Sequence, residues 1–321
     1  MSAATLPEAA PRPMPERVNR WGWILLALGL LVAAAAYALE AERAIFSTIV
    51  LLLFVASLAG GSLFLVALEY IAGAVWSVPM RRVSEFLTGL VPLLPLLALP
   101  VLLQPGHAFH WAHHGATEAD SLLAAKEPYL NIGFFTVRFV AIVLLWLLFA
   151  WLFVRNSTRQ DTTGDPTLTT WNIRLSAAFM PVFALSLTVL AVDWGMSLDP
   201  HWFSTIYGVY YFSGTVLAAL AGVTYVVVRF HETGYFSWLR RDHFYSLGAL
   251  MFAFVNFWAY IAFSQFLLIW YADLPEETFW FLHRWEGGWE WFSMFLILVH
   301  FLVPYFVLLS QEAKMDPRRL K

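Results

Sequence analysis

Cysteine is absent from all 321 residues, which excludes disulfides, cysteine-ligated iron–sulfur clusters and covalently attached c-type haem. Any such centre must belong to a partner. Charge is scarce as well, with Asp, Glu, Lys and Arg at 13% of the chain against about a quarter in an average soluble domain. The motifs of soluble enzymes are missing: no P-loop, no dinucleotide fingerprint, no HExxH and no nucleophile elbow. Histidine placement excludes a further cofactor. His300 is the one histidine inside a predicted span, whereas a transmembrane b-type haem commonly needs two axial ligands, so no haem is expected in this chain.

What is present is apolar. Hydrophobic residues make up 60% of the chain, the composition of an all-α, polytopic membrane protein. Residues 1–20 are proline-rich, carry Arg12, Arg17 and Arg20, and have no apolar period, so they read as a disordered basic tail. Eight runs follow, each near or above the length a helix needs to cross the hydrocarbon. They are Trp21 to Leu39, Ile45 to Ile71, Phe86 to Leu103, Leu130 to Val154, Ile173 to Met196, Ser204 to Arg229, Phe244 to Tyr271 and Trp289 to Ser310. The transmembrane domain is thus residues 21–310, and 311–321 reads as a C-terminal tail. A cleaved signal peptide is the rival reading of the first run, since Ala36-Tyr37-Ala38 resembles a cleavage site, but the run is long for an h-region.

Lys and Arg orient the spans. With eight spans, Arg43, Lys126 and Arg284 fall on one side. Arg12, Arg17, Arg20, Arg81, Arg82, Arg155, Arg159, Arg174, Arg229, Arg240, Arg241, Lys314, Arg318, Arg319 and Lys321 fall on the side of the termini. Both termini are therefore expected in the cytoplasm. The junction Asp193 to Tyr211, the loop 104–129 and the segment 272–288 then face outward.

Small residues every four positions, Gly214-Ala218-Gly222 on the sixth run and Ala56-Gly60 on the second, predict close helix approach. Pro92, Pro95 and Pro100 should bend or break the third helix, and Pro181 the fifth.

Polar side chains at membrane depth are expensive and so single themselves out. Asp193 lies about one turn inside the outer end of the fifth run and Arg138 about two turns inside that of the fourth; they could form a buried ion pair or a functional pair. His300 is near the middle of the eighth run, where Pro304 removes its carbonyl's helical donor, so it reads either as a proton-handling group or as a kink marker. Glu69 could lie in the membrane or at its inner interface. Asn256, Tyr260 and Ser264, with Gln265 beside them, could line a hydrated path or act as interhelical glue. His107, His110, His113 and His114 lie together in the outer loop without cysteine or carboxylate at convincing ligand spacing, so a partner-facing loop is expected and no metal.

Two longer motifs carry a resemblance. Residues 193–205, DWGMSLDPHWFST, with Tyr207 beyond them, and residues 257–265, FWAYIAFSQ, running on through IWYADLPEET to His283-Arg284, resemble the NrfD-like membrane subunits of alternative complex III. The second segment is similar to the ActF type of subunit rather than to its larger sister ActC. The likeness covers the second to eighth helices. It implies a cofactor-free, multi-pass subunit in the bacterial inner membrane, within a complex that oxidises menaquinol and passes electrons to a cytochrome c or an oxidase. The implied partners are a multihaem cytochrome c subunit, an iron–sulfur subunit, ActC, small membrane subunits and the lipid bilayer, with no nucleic acid. It also implies two further helices after the eighth, which this chain does not carry.

Carried onto this chain, Asp193, Asp199 and His201 occupy the family's outward motif, whereas roles for Arg138, Glu69 and His300 rest on depth alone. The expected function is a scaffold and possible proton-conducting subunit of a respiratory electron-transport complex. The alternative is direct quinol oxidation, with Asp193 or His201 accepting protons. A stand-alone transporter remains the third class.

Overall fold

A computed structural model describes residues 16–113 and 115–321. Among the described residues there is no strand. Among them, eight helices are long and apolar enough to cross a membrane: α1 (Val18–Leu39), α2 (Ala41–Ile71), α3 (Arg81–Leu103), α4 (Ile132–Thr163), α5 (Thr167–Leu198), α6 (Tyr207–Glu232), α7 (Arg241–Ala272) and α8 (Trp289–Val307). This is a multi-pass, all-helical membrane protein. The chain divides into two compact units, residues 1–47 and 48–321. In the first, the helix of α1 starts at Glu16, so residues 16–20 are helical rather than part of a disordered tail; residues 1–15 lie outside the described residues.

The second unit holds α3 to α8 and most of α2. Ala56, Ala59, Leu63 and Val66 of α2 are fully enclosed, as are Val216 and Ala219 of α6. The close approach uses Gly60, as expected, and Gly61 beside it. A Cβ on Gly61 would fall 2.6 Å from the carbonyl oxygen of Thr215 and 2.7 Å from Cβ of Ala219. One on Gly60 would meet the Trp146 ring at 2.6 Å, whereas Gly214 has nothing nearer than 3.8 Å. On α6 the contact with Gly61 runs through Thr215 and Ala219, one residue on from Gly214 and Ala218, while Gly222 of the expected stripe also approaches α2, where a Cβ would lie 3.1 Å from Leu58. An aromatic layer fills the space beside it. Phe183 stacks on Phe64 at 5.4 Å between ring centroids and packs against Trp146 at 5.7 Å and Phe179 at 5.4 Å; offset and edge-on geometries of this kind exceed simple area burial in stability.

Proline and polar residues set the irregularities. α3 breaks as its prolines require, one helix ending at Thr88 and a second starting at Leu93 after Pro92. α5 continues through Pro181. A π-helical turn at Leu298–Leu302 precedes Pro304 in α8, the register shift by which a helix accommodates a missing N–H. α4 runs to Thr163, nine residues past the expected Val154. This extension is polar and so invisible to hydropathy; it is held to α5 by Asn156 donating to Asn172 (2.8 Å) and Gln160 donating to Thr169 (2.8 Å). Gly164, at φ +64°, closes the turn between them, a left-handed conformation glycine adopts without steric cost.

Residues 311–321 are not a free tail. They form two short helices, Gln311–Met315 and Pro317–Leu320, with Ala313 and Leu320 buried. Lys314 is buried too: its Nζ donates to the carbonyls of Leu308 (2.9 Å) and Leu309 (3.1 Å) and sits 4.8 Å from the centre of the Phe252 ring. It caps the C-terminal end of α8, where free carbonyls and the helix dipole favour a cation. Gly248 of α7 makes room for this backbone, since a Cβ there would lie 2.9 Å from the Lys314 carbonyl oxygen.

Candidate functional site

Two polar clusters occupy opposite ends of the second unit's helices. The first is built on the junction after α5. Arg138, on the second turn of α4, reaches across to Asp193, near the end of α5. Its Nε donates to Oδ2 at 2.7 Å and its Nη2 to Oδ1 at 2.9 Å, the paired fork geometry that makes arginine–carboxylate contacts strong. Nη1 donates to the Tyr129 carbonyl at 2.9 Å, and the Tyr129 hydroxyl donates to Oδ1 of Asp193 at 2.9 Å. The guanidinium also lies 3.8 Å from the Tyr129 ring centre and 4.4 Å from that of Phe134. The side chains are 9% and 2% exposed. Asp193 and Arg138 thus form a buried ion pair in which each partner's hydrogen bonds are supplied by protein, the condition under which such a pair survives burial.

Below the pair the chain turns back on itself. Ser197 donates its hydroxyl to the Asp193 carbonyl, and Trp111 Nε1 from the loop 104–129 donates to the Ser197 carbonyl at 3.2 Å. The loop 104–129 is tied down at two more points: Lys126 Nζ donates to the Pro200 carbonyl at 2.6 Å, and His201 Nε2 lies 2.5 Å from Oδ2 of Asp120. Asp120 caps the helix Ser121–Lys126 through the backbone N–H groups of Leu122 and Leu123. The His201 contact first, and these amides after it, hold the Asp120 carboxyl below its usual range. Burial lowers the Lys126 ammonium, while Asp120 and Asp199 pull the other way. Asp199 is half-buried at the same surface.

A stacked pair closes the other flank. Trp202 and Trp280 lie 4.5 Å apart with planes 13° from parallel, and Arg284 sits 3.3 Å over the Trp280 ring. The Nε1 atoms of Trp194 and Trp202 are buried without a hydrogen-bond partner. His300 is deeper, edge-on to Trp258 at 4.4 Å with an unpartnered Nε2; it occupies the π-turn before Pro304. The helix-seven set does not share one environment: Tyr260 is 65% exposed and Gln265 4%, because five residues rotate a helix by well over a right angle. Asn256 bonds back to the Phe252 carbonyl of its own helix at 2.7 Å.

The second cluster lies at the arginine-rich ends of α2 to α5. Glu69 is on the last turn of α2, paired with Arg81 Nε at 3.1 Å, and the Arg81 guanidinium lies 4.1 Å from the Tyr70 ring centre. Arg82 donates to Glu85, to Asp161 and, at 3.1 Å, to the Ser157 carbonyl. These groups line a cleft of about 370 Å³. Among the described residues no group of three His, Asp or Glu side chains converges as metal ligands would; His110 and His113 are 5.8 Å apart between ring centres, and His114 lies outside the described residues.

Depth and residue type picked out Asp193, Arg138, Asp199, His201, Glu69 and His300. They did not pick out Tyr129, Asp120 or Arg81. Asp120 carried a legible signal, an N-cap before Ser121-Leu122-Leu123; Tyr129, beyond the end of an apolar run, carried only the general enrichment of tyrosine at membrane interfaces. No family model matches this chain, and no curated protein sequence matches it.

Proposed function

We propose that this chain is an NrfD-like, ActF-type membrane subunit of a bacterial inner-membrane quinol:electron-acceptor oxidoreductase of the alternative complex III kind. It contributes no redox centre and serves as scaffold, with a proton-conducting role open to it. The observation that carries the scaffold reading is the closed state of Asp193. Both of its carboxylate oxygens are engaged by Arg138 and Tyr129, so the central acid of the outward motif orders the surface rather than presenting a free acceptor to a substrate. The loop 104–129 is fastened by Trp111, Lys126 and Asp120, and the Trp202–Trp280 stack carries Arg284 over it, residue types enriched at protein interfaces. The absence of cysteine leaves haem c and iron–sulfur clusters to partner subunits.

Direct quinol oxidation is the second reading. It is favoured by the His201–Asp120 pair, in which a partly exposed imidazole is backed by a carboxylate, the arrangement of a general base. Menaquinol is then the expected substrate.

Purification in mild detergent through a tag on this chain tests the proposal. Co-purifying multihaem c and iron–sulfur subunits, seen in the visible spectrum and by mass spectrometry, are the expected result. A stable preparation with neither overturns it and directs attention to transport assays. Within an assembled complex, His201→Ala separates the two readings: unchanged quinol turnover supports the scaffold, and abolished turnover supports the second.

A further inference from the structure

The cleft at the arginine-rich helix ends is used by neither reading above, and its volume of about 370 Å³ is within the ordinary range of small-ligand sites. Part of its lining is charged. Arg81 and Arg82 face Glu69, Glu85 and Asp161 there, with Gln160 and Thr169 alongside. Its rim is apolar, formed by Val75, Val78 and Ile173, and Val75 is 80% exposed. A partly charged lining with an apolar rim, at the ends of membrane-spanning helices, matches a molecule that is charged at one end and apolar at the other at the level of the lipid headgroups.

The free donors and acceptors narrow the choice of headgroup. Two of the three carboxyl groups are buried, those of Glu69 and Glu85, and the third, that of Asp161, stands in the open. Glu69 is matched by Arg81, and Glu85 is held by Arg82. Asp161 shares Arg82 with Glu85 and its side chain is 66% exposed, so it is the acceptor that remains accessible. Arg82 commits Nη1 to Glu85 and Nη2 to Asp161 and Ser157; of its five N–H donors, Nε–H and a second Nη1–H remain. A ligand that fits both conditions carries an N–H-donating cation for Asp161 and, a few bonds away, an anionic oxygen for Arg82. A glycerol head has no cation. A choline head has a cation without N–H donors.

We propose that this cleft binds the head of an ethanolamine phospholipid, its ammonium on Asp161, its phosphate on Arg82, and its glycerol end against Val75, Val78 and Ile173. The site does not depend on the chain belonging to a redox complex.

Native mass spectrometry of the full chain in detergent tests this. The probes are phosphatidylethanolamine, phosphatidylglycerol and phosphatidylcholine with identical acyl chains. One phosphatidylethanolamine should be retained with about tenfold preference over the other two, the scale of one charge-assisted hydrogen bond. Asp161→Asn, at an exposed side chain, and Ile173→Trp, which fills the rim, should each abolish the preference while the thermal midpoint stays within about a degree or two, as expected for surface changes. Equal retention of the three lipids, or an undiminished preference in both variants, would overturn the assignment.

Discussion

Arg138 and Asp193 meet as a two-pronged ion pair across 55 residues of sequence, at 2.7 and 2.9 Å, with both side chains buried. The pair joins α4 to the junction after α5, and Tyr129 completes it from the loop.

Breaking one side of this pair strands the other charge in a low-dielectric interior. Asp193→Asn or Arg138→Met alone should destabilise the protein by about 3–5 kcal/mol, while Arg138→Met combined with Asp193→Leu should recover most of that loss. Thermal unfolding in detergent measures it. Single variants as stable as the parent would show that the pair contributes nothing.

Tyr129 makes the cluster sensitive to alkali. Burial first, and then the adjacent Asp193 charge, raise its hydroxyl to about 12, above the value of about 10 of a free tyrosine. A raised folded-state value means that the neutral form stabilises the fold: the contribution is complete below about pH 10 and is lost as pH climbs toward 12. The parent should therefore lose stability over this window more steeply than Tyr129→Phe. Parallel pH curves for the two would refute the assignment.

Gly61 has no room for a side chain beside Thr215 and Ala219. Gly61→Val should cost about 1–3 kcal/mol or prevent folding, as overpacking does, whereas Gly214→Ala, whose Cβ would make an ordinary 3.8 Å contact with the Trp258 ring, should be tolerated. Yield of monodisperse protein after solubilisation distinguishes them, and equal yields would mean that α2 and α6 pack otherwise.

Lys314 fastens the end of α8. Lys314→Met keeps the aliphatic stem but leaves the Leu308 and Leu309 carbonyls without their donor. A loss of roughly 0.5–2 kcal/mol is expected, concentrated in faster hydrogen exchange over residues 303–321. Exchange unchanged there would show the ammonium to be incidental.

The sequence by itself determined the class of this protein, the number of spans and the place where polar chemistry collects. Those are local properties: twenty apolar residues require a helix in lipid, the first of three prolines, Pro92, marks the break in α3, and an acid near the end of an apolar run is conspicuous because burying it is costly. Partnership is not local. That Asp193 pairs with Arg138 rather than standing free depends on the rotation and depth of α5 against α4. The tertiary structure alone decided that Gly61, not Gly214, lies at the helix contact, that polar turns extend α4 and α5 beyond the apolar run, and that Lys314 is buried. Each of these follows from which atoms two distant segments bring within a few ångströms, and hydropathy, which assigns one value to each residue, carries no information about that.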